Sequence, residues 1–318
     1  MPEPVMLSCV AMACRFELVM YGPDPTHLRA AGEEALSEIE RLDAQLSPFR
    51  PESEIADINA RAHRAPVKVD PRLVRFLKRL AQLSEETGGA FDPTVGPLMR
   101  VWGFRNPAPP QSLPSAADLE DALRATGMRN VLLDEDEFAV SFARPGVILD
   151  LGAVGKGMAI ERAVASLREN GVAQAFIHGG TSTAYGIDAA PDGAGWPVEV
   201  RDPSDSEHAI ATFRLRDAAM SVSAVHGRTF EVEGVTYGHV IDPRSGKPVC
   251  GALLAAVVTE SAVDSDALST ALLTLGPEWL PELAKRRPGV RALVAWRDEE
   301  NGPLRVASWP EGVGREGA

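Results

Sequence analysis

Residues 196–241 read WPVEVRDPSDSEHAIATFRLRDAAMSVSAVHGRTFEVEGVTYGHVI and contain one β-forming run after another. Glu233-Gly234 separates two of these runs in the manner of a hairpin turn. Strands that follow one another, with few strand–helix–strand alternations, are typical of antiparallel sheets. The stretch therefore predicts an α+β fold with largely antiparallel sheets and flanking helices. Its strands are predicted at 196–201, 211–215, 219–223, 228–233 and 235–241.

Helices and further strands are predicted on both sides of this stretch. Asp70-Pro71 and the pair Ser115 and Asp118 are capping patterns that begin helices, and Thr26 is expected to cap an earlier helix. Helices are predicted from Thr26 to about 46, and over 70–87, 115–127, 154–170, 263–275 and 277–285. Strands are predicted over 5–21, as one continuous strand, and at 130–134, 138–142, 146–150, 172–178, 252–259, 290–296 and 304–308.

Composition indicates a globular chain and excludes several classes of protein. The chain has 318 residues, of which 45% are apolar and 24% charged, and we expect one domain over 1–318. The net charge of −13 disfavours nucleic acid as a partner. The sequence contains no apolar run of about 18 residues, so it predicts no membrane span. The N-terminal residues lack a basic signal region, and the three cysteines have no zinc spacing, so we expect a cytoplasmic protein with reduced thiols.

Residues 150–157, DLGAVGKG, lie where a predicted strand ends and a helix begins. Small residues let a ligand approach the backbone, and a helix N-terminus offers free N–H groups to an anion. Lys156 adds a positive charge, and Asp150 is able to accept hydrogen bonds from a ligand or to cap the helix. Gly157 stands where a phosphate-binding loop has the Ser or Thr that binds magnesium. An anion site and a capped helix with packing glycines are both open interpretations.

Residues 263–270, VDSDALST, place a carboxylate and a hydroxyl one helical turn apart. Asp266 and Thr270 would project from one face of a helix and offer the hard oxygen ligands that suit Mg²⁺. The alternative is that Ser265 or Asp264 caps the helix and that Asp266 complements its dipole in the first turn. These eight residues alone favour the cap.

Three shorter runs add candidate ligand contacts. His239, in the run YGHVIDPRSG, stands at a strand-to-turn junction, and histidine is the side-chain type suited to proton transfer near neutral pH. In the run GGAFDP at 88–93, Phe91 would stack on a planar ring together with Trp102 or simply fill the core. The run IHGGT at 177–181 ends a strand in a turn that permits close approach of a ligand.

Together these runs resemble the ApbE family, the FAD:protein FMN transferases. The family patterns D-L-[GS]-[GA]-[IV]-[AG]-K-G, A-D-A-L-[AS]-T-A-[LF] and H-[IV]-[IL]-[DN]-P-x-[TS]-G are similar to DLGAVGKG at 150–157, SDALSTAL at 265–272 and HVIDPRSG at 239–246. Two more family runs resemble GGAFDPT at 88–94 and LSPFRPESEIADIN at 46–59. The resemblance covers nearly the whole chain in the order of the family.

The resemblance implies an α+β enzyme that, with Mg²⁺, transfers FMN from FAD to a Thr or Ser hydroxyl of an acceptor flavoprotein and releases AMP. It implies that the Ala153 carbonyl and the side chains of Asp266 and Thr270 bind Mg²⁺. We expect His239 to receive the proton of the acceptor hydroxyl, Asp242 to orient His239, and Lys156 to assist the leaving phosphate. The expected FAD contacts are Met12, Phe49, Ala90, Phe91, Asp92, Asp150, Lys156, Gly179, Gly180, Thr181, His239 and Val240.

Several residues depart from the family patterns. Met-Ala-Cys at 12–14 replaces Met-Gly-Thr, Thr181 replaces the Asp of G-G-D, residues 221–224 replace T-[ST]-G, and Phe49 stands where the family often has Tyr. These changes concern FAD affinity more than the metal, so three alternatives stay open. The chain could hydrolyse FAD to FMN and AMP, or bind flavin without catalysis. A P-loop phosphotransferase is disfavoured because Gly157 follows Lys156. The family's usual lipoprotein leader is absent, which favours a cytoplasmic member.

Overall fold

All strand pairs in the structure are antiparallel. The computed structural model describes residues 3–106, 110, 112–225, 227–299 and 302–314. The strands are β1 (Val5–Ala11), β2 (Cys14–Tyr21), β3 (Val67–Lys68), β4 (Val131–Asp134), β5 (Ala139–Phe142), β6 (Gln174–Gly179), β7 (Thr183–Ile187), β8 (Trp196–Asp202), β9 (Asp205–Leu215), β10 (Ala218–Ala224), β11 (Thr229–Val232), β12 (Val235–Gly238), β13 (Ala252–Thr259), β14 (Arg291–Trp296) and β15 (Arg305–Trp309). Antiparallel pairing throughout the described strands confirms the predicted α+β class.

The helices belong to two compact units of the chain. The α-helices are α1 (Pro25–Leu46), α2 (Glu54–Arg61), α3 (Pro71–Glu86), α4 (Gly96–Val101), α5 (Ala116–Ala125), α6 (Gly155–Glu169), α7 (Ala262–Leu275) and α8 (Leu280–Arg286). Unit 1 comprises Met1–Asp43, Val154–Ala224 and Gly251–Ala318, and unit 2 comprises Ala44–Ala153 and Val225–Cys250. One domain over 1–318 stays a prediction.

Unit 1 is built on an eight-stranded sheet in the order β1-β2-β6-β7-β10-β13-β14-β15. Helix α7 packs against β10, β13 and α6, and ten of its residues are buried. The hairpin β8–β9 contributes Trp196 and Phe213 to an apolar cluster that also contains Met220 of β10 and Val258 of β13. Because both helix and hairpin bury residues of the central strands, β13 is buried along most of its length.

Unit 2 combines the helices α2 to α5 with two small sheets, β3-β5-β4 and the hairpin β11–β12. Its main aromatic cluster contains Trp102, Phe104 and Phe230, all buried, together with Ile241. Asp70 begins α3 by accepting from the Arg72 N–H, as the sequence predicts. Burial of one apolar stripe along α3 accounts for the packing of this helix.

The continuous strand predicted over 5–21 is wrong, because the chain folds there as the hairpin β1–β2. Met12 and Ala13 form a two-residue turn with φ of 50° and 57°. Such turns normally contain Gly, Asn or Asp, for which a positive φ costs little. Neither residue signals a turn, so the alternating pattern reads as one strand.

Three smaller expectations also change. Residues 146–150 form no strand, because the backbone of Leu149 bonds to the side-chain amide of Asn59 at 2.7 and 3.0 Å instead of to another strand. Asp24 and not Thr26 caps α1, since its carboxylate accepts from the N–H groups of Thr26 and His27. The short strand β7 was not predicted. The capping box of Ser115 and Asp118 is confirmed.

No helix in the described part of the chain has both the length and the hydropathy that a membrane crossing needs.

Candidate active site

The predicted site residues are divided between the two units, and each set is described within its own unit. Unit 1 contains Met12, Lys156, Gly179, Gly180, Thr181, Asp266 and Thr270. Unit 2 contains Phe49, Ala90, Phe91, Asp92, Asp150, Ala153, His239, Val240 and Asp242.

Asp266 is the most strongly held of the predicted site residues in unit 1. It is 5% exposed and lies in the second turn of α7. One carboxylate oxygen accepts from Thr183 Oγ1 at 2.8 Å and from Ser221 Oγ at 2.5 Å. The other accepts from the Gly157 N–H at 2.7 Å, at the beginning of α6. Asp266 therefore joins α7 to β7, β10 and the N-terminus of α6.

The close approach of α6 to α7 requires a glycine at position 157. A Cβ there would lie 2.5 Å from the Ala262 carbonyl oxygen and 2.8 Å from Oδ2 of Asp266. A Cβ carbon essentially never lies this close to another non-hydrogen atom, so any larger residue would push the helices apart. Of the glycines in 150–157, Gly157 thus serves helix packing, and its N–H also donates to Asp266.

Burial raises the pKa of the Asp266 carboxyl above its ordinary value. The hydrogen bond from Ser221, the positive charge of Lys156 and the bonds from Thr183 and Gly157 act in the opposite direction. The charge of Lys156 also opposes the effect of burial on the Cys14 thiol, whose pKa is raised. Lys156 is thus the cation that favours an ionised Asp266.

Thr270 stands one turn beyond Asp266 and belongs to a cluster of hydroxyls. Its Oγ1 donates to the backbone carbonyl of Asp266 at 3.0 Å and lies 3.2 Å from Oγ of Ser223. Ser223 is also 2.9 Å from Oγ of Ser269. Because the Thr270 proton is directed to the helix carbonyl, the lone pairs of its oxygen remain the acceptor side of this hydroxyl.

The donor set of unit 1 fits a hard divalent cation. A carboxylate has about four lone-pair sites, of which Asp266 uses three for hydrogen bonds, so one is left for a metal. Among the described residues no group of three or more His, Cys, Asp or Glu side chains is placed to hold a metal ion. A cation at Asp266 and Thr270 would have one carboxylate and neutral oxygens, which suits Mg²⁺ that keeps waters and substrate phosphates.

The alternative, in which Ser265 or Asp264 caps the helix and Asp266 lies in its first turn, is wrong. Ser261 is the N-cap of α7, because its Oγ accepts from the Asp264 N–H at 3.0 Å. Asp264 instead forms an ion pair with Arg287 at 3.1 Å. Asp266 lies inside the helix, and its carboxylate bonds to other segments rather than to the first turn of α7.

Met12 and Thr181 both lie in turns of unit 1. The Met12 N–H donates to Asp43 at 2.9 Å, and the Met12 sulfur lies 3.6 Å from the Cβ position of Gly155. Gly180, with φ of 59°, and the exposed Thr181 form the turn between β6 and β7. Thr181 is thus accessible to solvent in the turn that the sequence predicts.

In unit 2, Asp150 is paired with a cation that the sequence analysis did not single out. Arg105 Nη2 lies 2.6 Å from Asp150, and both side chains are 18% exposed. The Gly152 N–H donates to the same carboxylate at 3.0 Å. The Arg105 guanidinium also lies 5.7 Å from the ring centroid of Phe49, whose side chain is exposed. Asp150 therefore forms an ion pair and a local turn and does not cap α6.

Asp92 and its neighbours are buried. The Asp92 carboxylate accepts from Thr94 Oγ1 at 2.5 Å, from the Thr94 and Met128 N–H groups, and from Ser84. Ala90 and Phe91 are 1% and 2% exposed. Their roles as FAD contacts stay predictions, and the Phe91 side chain itself fills the core.

Trp102 also fills the core of unit 2. Its indole N–H donates to the Gly246 carbonyl at 2.7 Å, and its ring centroid lies 5.5 Å from that of Tyr237. A buried indole whose N–H already donates inside the core has neither a free donor nor an accessible ring face for a ligand. The core interpretation of Trp102 therefore has the support of its contacts.

His239 directly follows β12, as the sequence predicts, and its ring lies edge-on to Phe104 at 6.5 Å between centroids. Asp242, its expected orienter, accepts three hydrogen bonds from Arg244, each at 2.9 Å, two from the guanidinium and one from the backbone N–H. The Asp242 carboxylate is thus tied to Arg244, and its role toward His239 stays a prediction.

Known proteins share these motifs and this fold. The model of the ApbE family matches residues 12–294. A FAD:protein FMN transferase of Treponema pallidum is 32% identical over 306 residues, covering 91% of this chain and 83% of that protein. The chain belongs to the ApbE family. An ApbE-family protein of Thermotoga maritima has a crystal structure that matches with a TM-score of 0.85 and 29% identity, over 95% of this chain and 96% of that one. A second ApbE crystal structure, the apo flavinyl transferase of Pseudomonas stutzeri, matches with a TM-score of 0.81 and 27% identity, over 96% and 94% of the two chains.

Membership of the ApbE family confirms the predicted family and the prediction of an enzyme, since the curated relatives are named as transferases. Two contributors to the site were missed from the sequence. Thr183 was missed because β7 itself was not predicted. Arg105 directly follows the run WGF at 102–104, and a single cation beside that run was the only signal that the sequence offered.

Proposed function

We propose that this ApbE-family chain transfers FMN from FAD to a Thr or Ser hydroxyl of an acceptor protein, with Mg²⁺ and with release of AMP. The names of its relatives support flavin transfer in general. The observation that carries the proposal is the buried Asp266 carboxylate, which is bonded to the N-terminus of α6 and lies within the electrostatic reach of Lys156. A buried carboxylate beside a helix N-terminus and a lysine is suited to hold a metal ion close to the pyrophosphate of FAD.

The reaction exchanges one phosphoester-type bond for another. The acceptor oxygen attacks the phosphorus of the FMN half of FAD, and the bond from that phosphorus to the bridging oxygen breaks. AMP leaves with that oxygen and carries the charge that develops on it. Asp266 and Thr270 would hold Mg²⁺, which when bound supplies positive charge to the phosphate oxygens. Ala153, the last residue of the first segment of unit 2, stays a third predicted ligand.

Two side chains of this protein act on the charge of the leaving phosphate and on the proton of the acceptor hydroxyl. Lys156 contributes a fixed positive charge for the leaving phosphate. His239 accepts the proton of the acceptor hydroxyl, because imidazole titrates near neutral pH. His239 has this role without Asp242, whose carboxylate accepts hydrogen bonds from Arg244.

The test is a product analysis with purified protein. FAD, Mg²⁺ and an acceptor protein containing the modifiable hydroxyl are supplied, and AMP, free FMN and FMN bound to the acceptor are separated. We expect AMP and acceptor-bound FMN in equal amounts, and loss of both when the metal is chelated. Free FMN that forms without acceptor would instead make the chain a FAD pyrophosphatase. Absence of AMP under all conditions would leave a flavin-binding protein.

The role of His239 is tested in the same assay. His239→Ala should lower turnover roughly 10²–10⁴-fold, the usual contribution of a positioned acid or base, while FAD binding persists. His208→Ala is the control, because His208 is exposed on β9 and is assigned no role. Loss of FAD affinity alone in His239→Ala would make His239 a binding residue and not the base.

A further inference from the structure

The strand β1 is an edge of the eight-stranded sheet of unit 1. Among the described residues, β1 pairs with β2 alone. An open strand edge presents unpaired N–H and C=O groups, which are able to pair with another strand. Only alternate residues of β1 direct these groups outward.

The geometry of the β1–β2 hairpin shows which residues these are. A two-residue turn makes Ala11 and Cys14 a hydrogen-bonded pair, so alternate residues of β1, ending at Ala11, bond to β2. The next pair, Val10 and Arg15, is not hydrogen-bonded, because the Arg15 carbonyl accepts from the Gly180 N–H on the side of β2 that faces away from β1. The backbone groups of Met6, Ser8 and Val10 therefore point to the open edge.

The same three residues are exposed on one face of the sheet. Met6 is 65% exposed and Val10 is 77% exposed, with the exposed Ser8 between them. Large apolar side chains at this exposure are uncommon on an edge strand, where charged residues normally discourage pairing. Here β1 carries no charged residue.

Both ends of the open edge are closed to further pairing. Pro4, immediately before β1, has no N–H to donate. Met12, immediately after β1, donates its N–H to Asp43 at 2.9 Å. The usable edge is thus limited to three outward residues, and it is symmetric about Ser8, with Pro4 and Met12 equally far from its centre.

We infer that β1 pairs with β1 of a second copy of this chain, antiparallel and with the two-fold axis at Ser8. In this register Ser8 faces Ser8 of the other copy, and Met6 faces Val10. Three hydrogen-bonded residue pairs would supply six inter-chain hydrogen bonds. Pro4 of each copy would face Met12 of the other. Pro4 has no N–H and the Met12 N–H already donates to Asp43, so no N–H is available to extend the pairing there.

This register also joins apolar side chains across the interface. Val19 and Arg15 of β2 stand opposite Met6 and Val10, so one row would run Val19, Met6, Val10, Arg15 through both copies. Glu17, opposite Ser8, would lie three strand spacings from its counterpart, roughly 14 Å away, where salt screens the repulsion. The contact area is small, so the dimer should dissociate on dilution.

The first test changes the residue on the axis. Sedimentation velocity over a series of concentrations should show the wild-type chain shifting from monomer to dimer. Ser8→Lys places two ammonium groups opposite each other and should weaken association by more than roughly tenfold. Ser8→Thr is the matched control and should associate like the wild type. Circular dichroism shows whether the folded monomer is retained, which the exposure of Ser8 leads us to expect.

The second test reads the register by disulfide formation, in a Cys250→Ser background because Cys250 is exposed. Under mild oxidation Ser8→Cys should form a linked dimer, since paired Cα atoms lie about 5.5 Å apart. Met6→Cys should not link to itself, because its counterpart lies about 14 Å along the strand, but it should link to Val10→Cys when the two are mixed.

Each result decides for or against this dimer. A wild-type chain that stays monomeric at every concentration would overturn the inference, as would association that Ser8→Lys leaves unchanged. Self-linking of Met6→Cys as fast as Ser8→Cys would exclude this register. Open-ended growth into larger species would mean that β1 pairs with a different edge, such as β15, and would equally refute a two-fold dimer.

Discussion

Asp266 accepts hydrogen bonds from three segments of unit 1, and this arrangement leads to a prediction for single residues. Asp266→Asn keeps the volume but removes the charge, so Mg²⁺ binding measured by titration calorimetry should disappear together with FAD turnover. Thr270→Val removes a neutral ligand and should only weaken both. Asp264→Asn is the control, because Asp264 lies on the same helix as Asp266 but pairs with Arg287, which follows α8. Wild-type Mg²⁺ affinity in Asp266→Asn would contradict the assignment of the metal ligand.

Thr181 gives a second prediction for a single residue. It is exposed in the turn between β6 and β7, where the ApbE pattern has Asp. A carboxylate accepts a charge-assisted hydrogen bond worth about 1.5–3 kcal/mol, and a threonine only a weaker neutral one. Thr181→Asp should therefore tighten FAD binding in calorimetry at matched Mg²⁺, whereas Thr181→Asn should change it less. Unchanged or weaker binding in Thr181→Asp would mean that this turn contacts another part of FAD or none.

The sequence predicts candidate site residues more readily than it predicts the partners of those residues. Asp266 and Thr270 were identifiable because their helical spacing is local. The bonds from Thr183, Ser221 and Gly157 to Asp266 join residues 45 to 109 positions apart, and no local pattern encodes such a distance. For the same reason residues 263–270 taken alone favour a helix cap, since a cap is the local explanation for an Asp near a helix beginning.

The packing of α6 on α7 gives a prediction at the scale of elements. Gly157→Ala places a Cβ 2.5 Å from the Ala262 carbonyl and should destabilise the fold by about 1–3 kcal/mol, the usual cost of overpacking. Gly155→Ala, two residues earlier in α6, meets only the Met12 sulfur at 3.6 Å and should be neutral or stabilising by up to about 1 kcal/mol. Urea unfolding measures both. Equal free energies of unfolding for the two variants would mean that α6 shifts to accommodate the Cβ at position 157 without loss of stability.

Element boundaries followed from the sequence where a side chain marks them. Asp70 and Ser115 begin helices as predicted, because capping is a contact between near neighbours. The hairpin β1–β2 escaped prediction because Met12 and Ala13 adopt a positive φ without the residue types that normally indicate it. The segment 146–150 looked like a strand because an extended backbone has the same pattern whether it bonds to a strand or to Asn59.

Ligand linkage gives a prediction for the whole molecule. A ligand that binds only the folded chain stabilises it by about 2.7 kcal/mol at a concentration of 100 times Kd. Under the proposed function, Mg²⁺ with FAD should raise the melting temperature, and EDTA should remove the part of the rise that depends on the metal. The Asp266→Asn variant should show no metal-dependent part. An equal metal-dependent rise in that variant would place Mg²⁺ elsewhere.

The α+β class of the whole chain was predictable because consecutive strands leave few arrangements other than antiparallel pairing. The order of the large sheet was not, because β2 pairs with β6 and β10 with β13 across long intervals of sequence. Those pairings depend on which buried faces fit each other in three dimensions, and alternation along one strand does not encode that fit.

The strand order of unit 1 also has a consequence for synthesis. One edge strand of the sheet is β1 (Val5–Ala11) and the other is β15 (Arg305–Trp309), and all of unit 2 is translated between them. At 5–20 residues per second, a ribosome needs roughly 15–60 s to make the residues between these two edges. During that interval the early strands emerge without their later neighbours, so the nascent chain exposes apolar β-structure until β15 has been made. Assistance by chaperones is most valuable to this protein in that interval.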